Sequence, residues 1–126
     1  MITQHAAWVL AVTFSLSFVY ELYRATVKKG TSRHDSMRSF GRTLVLYAVA
    51  ATVIAALFAG AAWASWAGLA FSVVMILVSI FYYNPTVMLE RRPGIIDWFE
   101  DLMYTGLLFV AAALLLYDVF GGFGTW

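Results

Sequence analysis

From Thr43 to Tyr83 the chain contains no charged residue. One helix of that length would measure about 60 Å at 1.5 Å per residue, twice the roughly 30 Å hydrocarbon core of a bilayer. The stretch is therefore expected to turn on itself, and Gly60–Trp66, rich in small residues and tryptophan, is the expected place. A further apolar run lies on each side, giving expected spans over residues 5–23, 43–60, 67–83 and 102–120. Charged connections are expected over 24–42 and 84–101. Asn84-Pro85 reads as a firm stop, because proline disfavours the helical state of the residue before it. Pro93 reads as the first turn of the next helix. The pattern predicts an all-α, polytopic membrane protein folded as one transmembrane domain over 1–126, a compact antiparallel four-helix bundle.

Composition strengthens this reading: 63% of the 126 residues are hydrophobic and 12% are charged, against about a quarter charged in soluble domains. The placement of charge says more than the net +1. Arg24, Lys28, Lys29, Arg33, Arg38 and Arg42 surround the first connection, and Arg91 and Arg92 lie in the second. Positive residues mark cytoplasmic loops, so both termini are expected outside or in the periplasm of a prokaryotic inner membrane. A cleaved signal peptide is not expected, since the residues before the first apolar run carry no base. There is no cysteine, which excludes disulfides and thiolate metal sites.

Four groups of residues are candidates for function. Thr13, Ser17 and Glu21 share one face of span one, and His5 continues the line. With Asp118 at the far end of span four they trace a possible ion or proton path, because intramembrane carboxylates are functional suspects. The plainer readings are a Glu21–Arg24 surface pair and an Asp118–His5 contact. Asp97, Glu100 and Asp101 are three and four apart and so share a helix face. They are candidates for binding a divalent cation or a partner, or else form an acidic helix start paired with Arg91 and Arg92; no metal site is assigned. Lys28, Lys29, Arg33, Arg38, Arg91 and Arg92 suit lipid head groups or phosphate, and also suffice to set topology. Ala48, Ala51, Ala55 and Ala59, with Ala112 in span four, read as packing faces, since helices in lipid associate over small residues. Ser72 and Ser79 are expected to bond back to the preceding turn. Trp98 and Tyr104 are candidate walls of a quinone pocket.

Small fluoride channels and small multidrug exporters are similar in length and span count. The one-sided charge departs from dual-topology insertion, and the end position of Glu21 departs from the exporters. No serine elbow, HExxH or CxxC is present, so no catalytic residue is assigned, and no cofactor or nucleic acid is expected. The leading expectation is an accessory or structural subunit whose partners are membrane lipids, copies of itself or other membrane subunits. The alternatives are an oligomeric ion or small-molecule transporter or channel, and, behind it, a lipid- or quinone-linked enzyme.

Overall fold

The computed structural model describes residues 2–120. Among them four helices are long and apolar enough to cross a membrane, and there is no strand. Helix α1 is Ile2–Thr26, α2 is Met37–Ala59, α3 is Ala64–Val78 and α4 is Ile95–Val119. Each α-helix except α3 outruns the span expected from the apolar run alone, because its polar ends stay helical.

The turns follow from local chemistry. Ser36 caps α2, its hydroxyl accepting the Ser39 N–H at 3.2 Å. Gly60 ends α2 in the left-handed region at φ 74, with its N–H returned to Ala56 and Leu57. Glycine takes this conformation without the clash a Cβ would bring. α3 starts four residues later, so the hairpin turn falls where the sequence places it.

Asn84-Pro85 does not stop the third span. The chain continues beyond α3 as a π-helical segment, Ser79–Met88, with Pro85 inside it. Proline lacks an N–H and its ring collides with the carbonyl four residues back in an α-helix. A wider turn relieves both, and π turns recur at functional sites. Pro93 lies ahead of α4 instead of within its first turn. Gly94 precedes the helix, and Asp97 accepts its N–H at 2.8 Å.

α1 packs along both α2 and α4, and α4 packs along α3, whereas α2 and α3 touch more sparsely. Ala6, Ala7 and Leu10 of α1 are fully buried against Ala50, Val53 and Leu57 of α2 and Leu108, Ala111 and Leu115 of α4. Gly68 marks the tightest approach of α3: a Cβ there would stand 2.9 Å from Leu115 Cδ1 and 3.3 Å from Leu57 Cδ1. Large apolar residues cover much of the outside, among them Trp8, Val45, Phe81 and Leu102. Such a surface suits lipid, not water, and the fold is that of a multi-pass membrane protein.

The alanine stripe is not part of this packing. Ala48, Ala51, Ala55 and Ala59 are all exposed, as α2 turns Ala50, Val53 and Leu57 inward. Ala112 is partly buried against the core. Ser72 is buried with no partner for its hydroxyl among the described residues, and Ser79 bonds across to Thr105 at 2.9 Å in place of its own helix.

Candidate functional site

Both charged connections lie at one end of the bundle, where they close over a buried ionic network. Its centre is Arg91, just past the π-helical segment and 2% exposed. Its guanidinium grips Glu21 of α1 through two parallel bonds of 2.9 and 2.8 Å. It also donates to the Tyr83 hydroxyl at 3.0 Å and the His34 carbonyl at 3.2 Å. Its Nε stands 3.1 Å from Asp35 Oδ1. The planar five-donor fork of arginine suits this many-sided role. Burial opposes the Arg91 charge, but the bonds to Glu21 more than offset it, and the guanidinium holds its proton more tightly than in water.

Arg24 is the second hub. It forms a fork with Asp35 at 2.8 and 2.6 Å and reaches Asp97 at 3.4 Å. Asp97 also accepts the Tyr20 hydroxyl. The Glu21–Arg24 pair expected from spacing does not form; each residue takes a partner from a different element. Arg91 is likewise withdrawn from any lipid-facing basic patch. Lys28, Lys29, Arg38 and Arg92 are exposed, and Arg33 spends its charge on Glu90, with bonds of 2.6 and 2.9 Å. That exposed pair holds the Glu90 carboxyl below its ordinary range, first through the Arg33 hydrogen bond.

Asp35 is the residue that sequence reading passed over. It is fully buried although it sits in the first connection. Gly30, left-handed at φ 84, donates its N–H to the Asp35 carbonyl at 2.9 Å, and Ser32 donates to the carboxylate at 2.8 Å. The loop thus folds around an acid that serves two arginines. The Gly30/Ser32/Asp35 spacing was the available signal, but turns of this kind are common.

The acidic trio does not converge on a cation. Asp97 points to α1, as described. Asp101 accepts the Asn84 side-chain amide at 2.9 and 3.2 Å. Glu100 is 7% exposed and has no hydrogen-bond partner among the described residues. No cluster of three metal-ligating side chains exists among them.

Glu100 instead faces a cavity of about 340 Å³. α1 contributes Ser17 and Glu21 to it, and α2 contributes Arg42, Thr43 and Leu46. Met75 and Val78 of α3, then Tyr82, Tyr83 and Val87 of the π-helical segment, form the facing wall. Glu100, Asp101 and Tyr104 come from α4. The cavity therefore lies where the sparsely packed α2 and α3 separate. Tyr104 is held by an edge-on contact with Phe14, at 5.6 Å between ring centres. Trp98 is exposed and shares no wall with Tyr104.

The proposed polar path through α1 is broken. Thr13 donates to the Val9 carbonyl at 2.6 Å, and Ser17 bonds Tyr47 at 2.8 Å. His5 is exposed at the opposite end of α1, and Asp118 is engaged by the Ser65 hydroxyl in place of His5. Only Ser17 and Glu21 of that line reach the cavity.

Comparison of the chain with models of known protein families, with curated proteins and with solved structures finds no match.

Proposed function

We propose that the chain is a small-solute transporter subunit of a prokaryotic inner membrane that works as an assembly of copies. Its helices run antiparallel, its termini face outward, and its ionic end lies in the cytoplasm, where the exposed Lys28, Lys29, Arg38 and Arg92 satisfy the positive-inside rule. The observation that carries this reading is the cavity of about 340 Å³ with Glu100 buried and unpartnered in its wall. An ionised group without a partner is costly to bury. Polar residues facing an intramembrane cavity mark substrate and ion pathways, and the volume lies in the usual range for small-ligand sites.

The test is solute entry into proteoliposomes, followed by light scattering after an osmotic step with glycerol, tetramethylammonium acetate or sodium acetate. Faster re-swelling than protein-free liposomes is expected for at least one solute, and Leu46→Trp, which fills the cavity, should abolish the difference. Traces identical to protein-free liposomes for all three solutes would refute transport.

A second reading, an accessory subunit of a larger membrane complex, is favoured by the outward alanine edge of α2 at Ala48, Ala51, Ala55 and Ala59. Small residues facing lipid permit the close backbone approach that joins membrane helices. Gentle extraction and the intact particle's mass separate the two: a homo-oligomer supports the first reading, and unrelated subunits support the second.

A further inference from the structure

Five buried or cavity-lining carboxylates gather around Arg24 and Arg91 at the ionic end: Glu21, Asp35, Asp97, Glu100 and Asp101. Glu21, Asp35 and Asp97 are engaged by the arginines. Asp101 is engaged by Asn84. Among the described residues Glu100 alone of the five has neither an ion pair nor a hydrogen bond, although it is more than nine-tenths buried. A carboxyl so placed sheds the cost of its charge by taking up a proton or by taking a cation from outside the chain.

Resting on the reading of the cavity as a solute site, we propose that it takes a small organic ammonium ion, with Glu100 as the counter-charge. Three features set the class. A divalent metal is disfavoured by the absence of three converging ligands among the described residues. Tyr82, Tyr83 and Tyr104 bring aromatic rings to the wall, and such rings attract quaternary and protonated amines. Leu46, Met75 and Val78 supply apolar contact for a hydrocarbon body. Arg91 does not repel the ligand, because Glu21 and Asp35 already neutralise it. Arg42 and His34 are the other bases on the wall: Arg42 is exposed, so water and salt screen it, and the His34 imidazole stands 3.4 Å from the Glu90 carboxylate.

The experiment is calorimetric titration of the full chain in lipid nanodiscs with three probes of similar size: benzyltrimethylammonium, benzyl alcohol and benzenesulfonate. Saturable binding of benzyltrimethylammonium alone is expected. Glu100→Gln should weaken it by about thirtyfold, the lower end of the loss when one partner of a buried charge pair is removed. Glu100→Gln should also be at least as thermally stable as the wild type without ligand, since it removes an uncompensated charge; this shows that lost binding is not lost folding. Equal affinity of the wild type and Glu100→Gln for benzyltrimethylammonium overturns the assignment. Binding of the alcohol or the sulfonate in preference overturns the ligand class while leaving the cavity as a solute site. Binding of no probe overturns the ligand class too, and the re-swelling assay then decides whether the cavity reading survives. A loss of stability in Arg42→Gln that Glu100→Gln cancels would identify Arg42 as the counter-charge, and also overturns the proposal.

Discussion

Replacing Arg91 by methionine removes the hub that joins three parts of the chain: Glu21 on α1, His34 and Asp35 in the first connection, and Tyr83 in the π-helical segment. The side chain is 2% exposed and Glu21 is mostly buried, so neither partner falls back on water. Breaking a buried pair by deleting one member costs about 3–5 kcal/mol, because the survivor keeps its desolvation penalty without its partner. Against a typical total of about 5–15 kcal/mol, that is a large fraction. Removing both members is different: an apolar pair of similar volume is often close to neutral. Glu21→Met combined with Arg91→Met should therefore recover at least half of the loss, the remainder reflecting Asp35 and Tyr83. Arg91→Lys should fall between, since ammonium keeps the charge but not the fork. Reversible unfolding in mixed detergent–SDS micelles, followed by circular dichroism, reads all four proteins on one scale. Arg91→Met within about 0.5 kcal/mol of the wild type, a typical surface substitution, would refute the reasoning. So would a double variant no more stable than the single one.

Three further outcomes are expected. Gly68→Val should destabilise by about 1–3 kcal/mol, the usual cost of overpacking, because even its Cβ would stand 2.9 Å from Leu115 Cδ1; the same micelle unfolding measures it, and added Leu115→Ala should relieve it. Ala55→Leu should leave monomer stability unchanged because Ala55 is exposed, but reduce particle mass by light scattering if α2 is the assembly edge; Ala112→Leu should disturb the fold itself, because Ala112 packs against the core. The Glu90 carboxyl is held below its ordinary value, so its contribution to stability is present above the unfolded-state pKa of about 4.3 and fades as pH falls through the lower folded value. Being exposed to water, the pair contributes little; Glu90→Gln should flatten that acidic limb of the thermal-stability profile, and high salt should do the same to the wild type.

The four spans were legible because a lipid-facing helix writes its demand residue by residue: Thr43–Tyr83 has no charge, and Gly60 breaks it in a left-handed turn. That the two charged connections share an end follows from the number of crossings. The pairings inside that end were not legible. Glu21 has Arg24 three positions away, yet its partner lies 70 positions on, and spacing within a helix cannot rank a local base against a distant one. Asn84-Pro85 carries the local signature of a stop, but the wider π turn gives the proline room. The alanine stripe left its direction open, and Ala48, Ala51, Ala55 and Ala59 face outward. Ala50, Val53 and Leu57, offset around the same helix, take the inward side. Glu100 was visible as an acid at a helix start; its isolation depended on Asp97 and Asp101 each finding another partner.

The arginine network also imposes an order on biosynthesis. Chains emerge N-terminus first, and when α1 and α2 have entered the membrane the only part of the network that can close is Arg24 with Asp35, eleven residues apart. Glu21 must wait for Arg91, and Arg24 for Asp97. Until the third span has been made and its proline passed, the nascent hairpin carries an acid with no counter-charge. Arrival of Arg91 closes the Glu21 pair before α4 is made, and Asp97 of α4 then completes the network at Arg24.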